Sequence, residues 1–159
     1  MSSSGKSSLA LSKIKNASLV IVRTEWNAGI VDELFNGCKK ILDEHKAGFR
    51  DLVVPGAFEI PFAIKKYWDA SKKNRPEAFI ALGCIVRGDT PHFEYVCRAA
   101  TDGILALSLQ LPVPVIFGVL TVDNEEQARQ RIGGIHGHKG EEAASTALKM
   151  ISISRSLER

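Results

Sequence analysis

Four short apolar runs, each followed by residues at helical spacing, constrain this chain more than any other feature. Ala17 to Val22 (ASLVIV) reads as a buried strand, and Ile30, Val31, Leu34, Phe35, Cys38, Ile41 and Leu42 then recur at helical intervals. Asp51 to Val54 reads as a second strand, closed by Pro55-Gly56. Phe58 to about Ser71 reads as a helix with Pro61 in its first turn. Ala78 to Val86 (AFIALGCIV) is apolar throughout, as expected of a strand covered on both faces. Phe93, Cys97, Ala100, Ile104 and Leu107 give the next helix one apolar face. Val113 to Leu120 is the fourth strand, followed by a helix over 124–132, a glycine-rich break and a last helix over 140–154. Four alternations of strand and helix imply one α/β domain, with a four-stranded parallel sheet between helices on both faces. The domain is expected over 13–159, after a serine-rich and mobile segment over 1–12.

Ligands of such sheets sit beyond the carboxyl ends of the strands. That directs attention to the loops 23–28, 55–59, 87–92 and 121–124. In Arg87-Gly88-Asp89-Thr90-Pro91-His92, Thr90 suits a helix N-cap and Pro91 the first helical position. Unbonded amides and the helix dipole attract anions there, so the turn reads as a phosphate cradle. His92 falls in the first helical turn, where the positive helix end disfavours imidazolium, and a neutral imidazole beside a phosphate can accept and return protons. Trp26, just past the first strand, is placed equally well for core packing or for stacking on a flat ring. In Pro55-Gly56-Ala57-Phe58-Glu59, small residues leave room for a ligand, and Glu59 can accept hydrogen bonds from a polyol, although a helix-start carboxylate explains it too. Arg131 and Lys139 flank a glycine-rich loop and could clamp a phosphate, or simply be solvated cations at helix ends.

Other classes are disfavoured. A net charge of +3 with no dense basic stripe argues against nucleic acid as the main partner. Cys38, Cys84 and Cys97 have no CxxC spacing and read as reduced thiols of a cytoplasmic protein. Cys84 and Cys97 also lack an obvious base, so packing is their expected role. No apolar run is long enough to span a membrane, and the start has no sustained apolar core of the secretory kind. Gly5-Lys6-Ser7 lacks the upstream glycine and strand of a phosphate-binding loop, and the glycines at 133, 134, 137 and 140 do not follow a strand. His136 and His138 have no zinc spacing, so no metal is expected.

Five blocks in order resemble the lumazine synthase family: VPGAFEIP (54–61), ALGCIVRGDTPHFEYVC (81–97), PVIFGVLT (114–121), EQARQRIGG (126–134) and HKGEEAA (138–144). The resemblance covers nearly all of the chain from residue 17 onward. It implies an oligomeric, flavodoxin-like three-layer α/β fold and a cofactor-free condensation of 5-amino-6-(D-ribitylamino)uracil with 3,4-dihydroxy-2-butanone 4-phosphate. It also implies roles for single residues. Trp26 would stack on the pyrimidine, Ala57, Phe58 and Glu59 would hold the ribityl chain, and Cys84, Ile85 and Val86 would bond the pyrimidine through their backbone. Asp89 and Thr90 would bind phosphate with Arg131 and with Lys139 nearby, His92 would move protons, and Phe117 would come from a neighbouring subunit. A pentamer, a sixty-subunit shell built from pentamers, and riboflavin or riboflavin synthase as further partners belong to the same expectation. Glu25, Ile135 and His136 depart from the commonest pattern. Two other readings compete: a flavin- or nucleotide-binding module on the same architecture, and a shell protein that has lost catalysis.

Overall fold

A computed structural model describes residues 14–159, so the expectation for 1–12 lies outside the described residues. The elements are β1 (Ser18–Thr24), α1 (Ala28–Glu44), β2 (Gly48–Val54), a 3-10 turn (Ala57–Glu59) running into α2 (Ile60–Ala70), β3 (Ala78–Val86), α3 (His92–Gln110), β4 (Val115–Val122), α4 (Glu125–Arg129), β5 (Ile132–Gly134), β6 (Gly137–His138) and α5 (Lys139–Leu157). The main sheet is parallel with strand order β2-β1-β3-β4. The chain steps from β1 to β2 on one side and then to β3 on the other. The reversal between β1 and β3 is where such sheets open a crevice.

Consecutive residues of a strand point to opposite faces. Accordingly Leu19, Ile21, Ile80 and Leu82 pack with Val31, Leu34, Cys38, Leu148 and Ile151 under α1 and α5. Val20, Val22, Phe79 and Ala81 pack with Ile60, Ile64, Ala100, Ile104 and Leu107 under α2 and α3. Two-sided burial is why β1 and β3 are apolar without alternation. Phe79 is fully buried and meets Tyr67 and Trp68 edge-on, with centroids 5.9 and 6.4 Å apart. Each such pair adds about 1 kcal/mol beyond its burial.

The edge strand β2 is longer than its apolar residues indicate. It pairs with the whole of β1, from Ser18↔Gly48 to Thr24↔Val54. Its polar Arg50 and Asp51 are tolerated because they are exposed, and Asp51 takes a two-pronged ion pair from Arg23.

The region 124–139 differs from expectation. The helix stops at Arg129, and the glycine-rich stretch is an antiparallel hairpin in which Ile132 pairs with His138. Gly133 (φ 113°) and Gly137 (φ 77°) adopt backbone angles that favour glycine, which is what lets the chain reverse here. Helix α5 then starts at Lys139 and continues to Leu157, beyond the expected 140–154.

Helices α1 and α5 cross at two glycines. A Cβ on Gly140 would lie 2.0 Å from the Leu34 carbonyl oxygen, and one on Gly37 would lie 2.1 Å from the His138 ring. Gly29, on the first turn of α1, has nothing within 4 Å of the same position. Gly140→Ala is therefore expected to lower the unfolding free energy by about 3 kcal/mol, the upper range for overpacking. Gly29→Ala is expected to leave it unchanged or raise it by up to about 1 kcal/mol, from helix propensity. Urea unfolding of both variants checks this; equal effects would contradict the crossing geometry.

Candidate active site

The crevice begins where β3 outruns β1. Pairing between them ends at Arg23↔Leu82, whereas β3 stays paired with β4 as far as Val86↔Val122. Phe79 and Arg87 donate their backbone N–H groups towards β4, to Pro114 O (3.0 Å) and Val122 O (2.9 Å). Main-chain groups alternate sides along a strand, so those of Cys84 and Val86 face the side that β1 has left. The Cys84 carbonyl there accepts a 2.7 Å hydrogen bond from Asn27 Nδ2.

Asn27 is the residue that sequence reasoning undervalued. It sits in the left-handed region (φ 57°) at the start of α1, a conformation that asparagine tolerates better than most residues. Its carbonyl takes the N–H groups of Ile30 and Val31, and its side chain reaches across to β3 instead of capping α1. An asparagine directly before a helix is a visible signal; its reach to β3 is not.

The preceding residues are tied to the next loop. Glu25 N–H donates to Val54 O (2.8 Å) and Trp26 N–H to Pro55 O (3.2 Å). The Trp26 side chain is 74% exposed, which removes the core-packing alternative. Ala57 is buried, Phe58 is 62% exposed and Glu59 is exposed, in a 3-10 turn that packs against β3 and α3. Gly56 leaves room for the Glu59 carboxylate, since a Cβ there would lie 3.1 Å from Oε2.

The turn after β3 opens into solvent at Gly88, Asp89, Thr90 and His92. The helix boundary falls one residue later than expected. Pro91 holds the N-cap position and His92 is the first helical residue, while Thr90 Oγ1 accepts only a long 3.4 Å bond from the His92 N–H. Pro91 nevertheless has helical angles (φ −61°, ψ −4°), as its expected place in the first turn requires. The His92 imidazole makes no hydrogen bond among the described residues.

Arg87 is committed to holding this turn. Its guanidinium bonds Asp123 Oδ1 at 2.8 Å, pairs with the Glu94 carboxylate and lies 4.2 Å over the Phe93 ring. Gln127 extends the link, accepting the Asp123 N–H through Oε1 (2.9 Å) and donating its own N–H to Asn124 Oδ1 (3.0 Å). Arg131 Nη1 then donates to Gln127 O at 2.7 Å. Asp123 and Gln127 were not singled out from sequence, although Asn124-x-x-Gln127 has the spacing of a reciprocal helix cap.

Lys139 is joined to Arg131 through its backbone, N–H to O at 2.8 Å, and its ammonium pairs with Glu142 at 2.8 Å. Phe117, 44% exposed, lies elsewhere in the chain. It sits opposite Ala81 on β4, five residues before the end of the strand, or about 16 Å below it at the usual rise per residue. With Lys139, Glu142, Ala143 and Thr146 it lines a groove of about 360 Å³ along the outer edge of β4. One chain therefore gathers Trp26, Ala57 to Glu59, Cys84 to Val86 and the turn with His92 at the carboxyl ends, and does not bring Phe117 to them.

Burial pushes the Cys84 thiol up to about 11 and that of Cys38 to about 12, so both stay protonated near neutrality. Among the described residues, no group of three or more His, Cys, Asp or Glu is placed to hold a metal, and no helix is long and apolar enough to cross a membrane.

Hydrogen bonds from Arg87 hold Glu94 and Asp123 below the usual carboxylate range. A depressed carboxylate stabilises the fold above its unfolded-state value and loses that contribution as pH falls through the depressed one. Arg87→Met is thus expected to be less stable than the unmodified protein at pH 7, with the gap closing on acidification below the carboxylate range. Urea unfolding across pH measures it; a gap independent of pH would contradict the assignment.

A family model described as 6,7-dimethyl-8-ribityllumazine synthase matches residues 16–155. The chain is 44% identical over 137 residues to a protein of that name from Parabacteroides distasonis, covering 84% of each. It is 44% identical over 144 residues to one from Porphyromonas gingivalis, covering 89% of this chain and 88% of the relative. It is 47% identical over 135 residues to one from Cytophaga hutchinsonii, covering 83% of each. The chain belongs to the 6,7-dimethyl-8-ribityllumazine synthase family.

Proposed function

We propose that the protein condenses 5-amino-6-(D-ribitylamino)uracil with 3,4-dihydroxy-2-butanone 4-phosphate, releasing 6,7-dimethyl-8-ribityllumazine, phosphate and water. The observation that carries this reading is the unpaired edge of β3 at Cys84 to Val86, with exposed Trp26 at its mouth and a helix N-terminus beside it. An open strand edge offers main-chain donors and acceptors to a flat heterocycle, as a neighbouring strand would. Trp26 gives that ring a stacking surface. Ala57, Phe58 and Glu59 take the ribityl chain, with the Glu59 carboxylate accepting from its hydroxyls.

The phosphate belongs at the turn of Asp89 and Thr90, where the first amides of α3 point outward. Arg131 supplies a cation, and Lys139, which lines the same groove as Phe117, adds the second from the copy that supplies Phe117. The pyrimidine 5-amino group attacks the ketone, and loss of water gives an imine. His92 takes and returns protons while phosphate leaves, and the ribitylamino nitrogen closes the second ring with loss of water. Arg131 and the turn amides stabilise the departing phosphate. Holding two substrates in register supplies much of the acceleration, because ring closure is dominated by proximity. Cys84 serves through its backbone, since its protonated thiol is a poor nucleophile.

We also infer a homo-oligomer. Phe117 serves this crevice only when a second copy supplies it. Exposed Phe62 and Tyr95 on α2 and α3 add apolar surface for such a contact. The proposed assembly is a pentamer, with closure of pentamers into a sixty-subunit shell as its larger form. Riboflavin, riboflavin synthase and a cytoplasmic location complete the reading.

Lumazine formation, followed by absorbance with purified protein and both substrates, tests it. Turnover is expected well above the spontaneous reaction. His92→Ala is expected to lower kcat by about 100-fold without abolishing it, the lower range for one acid–base group. Arg131→Ala is expected to raise KM for the phosphate substrate by about 10-fold or more, the value of one charge-assisted hydrogen bond. A folded, assembled protein that gives no acceleration but retains a yellow chromophore would replace this reading with a flavin-binding one.

A further inference from the structure

We propose that His138 is a positioning residue that sets both cations of the site, Arg131 and Lys139, through one buried contact. This rests on the reading that those cations hold phosphate. Three elements converge on the imidazole. It caps α5, its Nδ1 accepting the Glu141 N–H at 3.4 Å. The ring lies against α1 at Gly37, where a Cβ would come within 2.1 Å of Cε1 and 2.5 Å of Nδ1. Its own backbone pairs with Ile132 in the hairpin.

The two cations are the immediate chain neighbours of this pair: Arg131 precedes Ile132, and Lys139 follows His138. They are also joined directly by the 2.8 Å bond from Lys139 N–H to Arg131 O. Through the cap bond that its Nδ1 accepts, with α1 packed behind it, the side chain thus fixes the hairpin to the body of the protein at the point where both cations emerge. A glycine within α1 costs helix stability of its own. Its presence at 37 is explained by the space the ring occupies. The side chain is half-buried and turned to α1 and the α5 cap, so it acts on the phosphate site through Arg131 and Lys139.

The assembled protein tests this by calorimetric titration with inorganic phosphate and by steady-state kinetics. His138→Leu keeps bulk and removes the acceptor. His138→Asn restores a preferred N-cap acceptor without the ring. Leu is expected to weaken phosphate Kd, and to raise KM for the phosphate substrate, by about tenfold, the order of one lost cap, with kcat changed far less. Asn is expected to recover phosphate affinity to within about threefold, since the acceptor is what sets the hairpin.

Unchanged phosphate affinity in His138→Leu, with Arg131→Ala clearly weakened, would overturn the positioning role and leave the phosphate reading intact. Unchanged affinity in Arg131→Ala would overturn the phosphate reading itself, and this proposal with it. If His138→Leu fails to assemble, His138→Asn decides: affinity as weak as Arg131→Ala in a folded variant overturns the role of the acceptor.

Discussion

The candidate site depends on one mismatch of strand lengths. Strand β3 continues past the end of β1 and keeps only β4 for company. A parallel strand in the middle of a sheet normally leaves no main-chain group unpaired. Here several lie open at the point where strand order reverses. One, the Cys84 carbonyl, is met by Asn27, and this single bond ties the entry to α1 to the end of β3. The backbone bonds of Glu25 and Trp26 then tie the same loop to the end of β2. Trp26 can stand almost wholly in solvent because the chain beneath it is held at both sides.

The proposed second half of the site is built by different means. No strand end presents Arg131 and Lys139; a hairpin does. That hairpin has little apolar surface, with only Ile132 packed on the core. It is held instead by close approach: Gly140 on Leu34, Gly37 on His138, and the helix cap on α5. Such contacts are short and sterically strict, so they fix position well while burying little area. The Arg87–Asp123–Gln127–Arg131 chain of bonds connects this half to the turn that carries His92.

Much of this was legible in the sequence, and what was missed has physical causes. Strand β3 was read with the right limits because burial on both faces leaves every residue apolar. Strand β2 was read three residues short, because its length comes from pairing with β1 and not from its own apolarity. The hairpin was read as a break, since glycines announce freedom of backbone without saying which conformation uses it. The helix after β4 was overextended because Arg131 and Ile132 fit a helical pattern locally. Residue roles came mostly from family resemblance. Trp26 was ambiguous between core and surface until its exposure was known, and the Asn27 side chain acts through a partner 57 residues away. Phe117 shows the opposite case: its expected role needs a neighbouring copy, and its depth on β4 is what a single chain cannot reconcile with the crevice.

The most direct test of the account is amide hydrogen exchange, resolved to short segments, with and without the pyrimidine substrate. An unpaired strand edge exchanges readily until a ligand bonds to it. The account predicts slowed exchange over 84–86 when the pyrimidine is added, and over 88–93 when inorganic phosphate is added, with α2 and the amino ends of the strands unchanged. Binding that leaves 84–86 untouched would contradict it, because the ring would then be docking somewhere other than the open edge of β3.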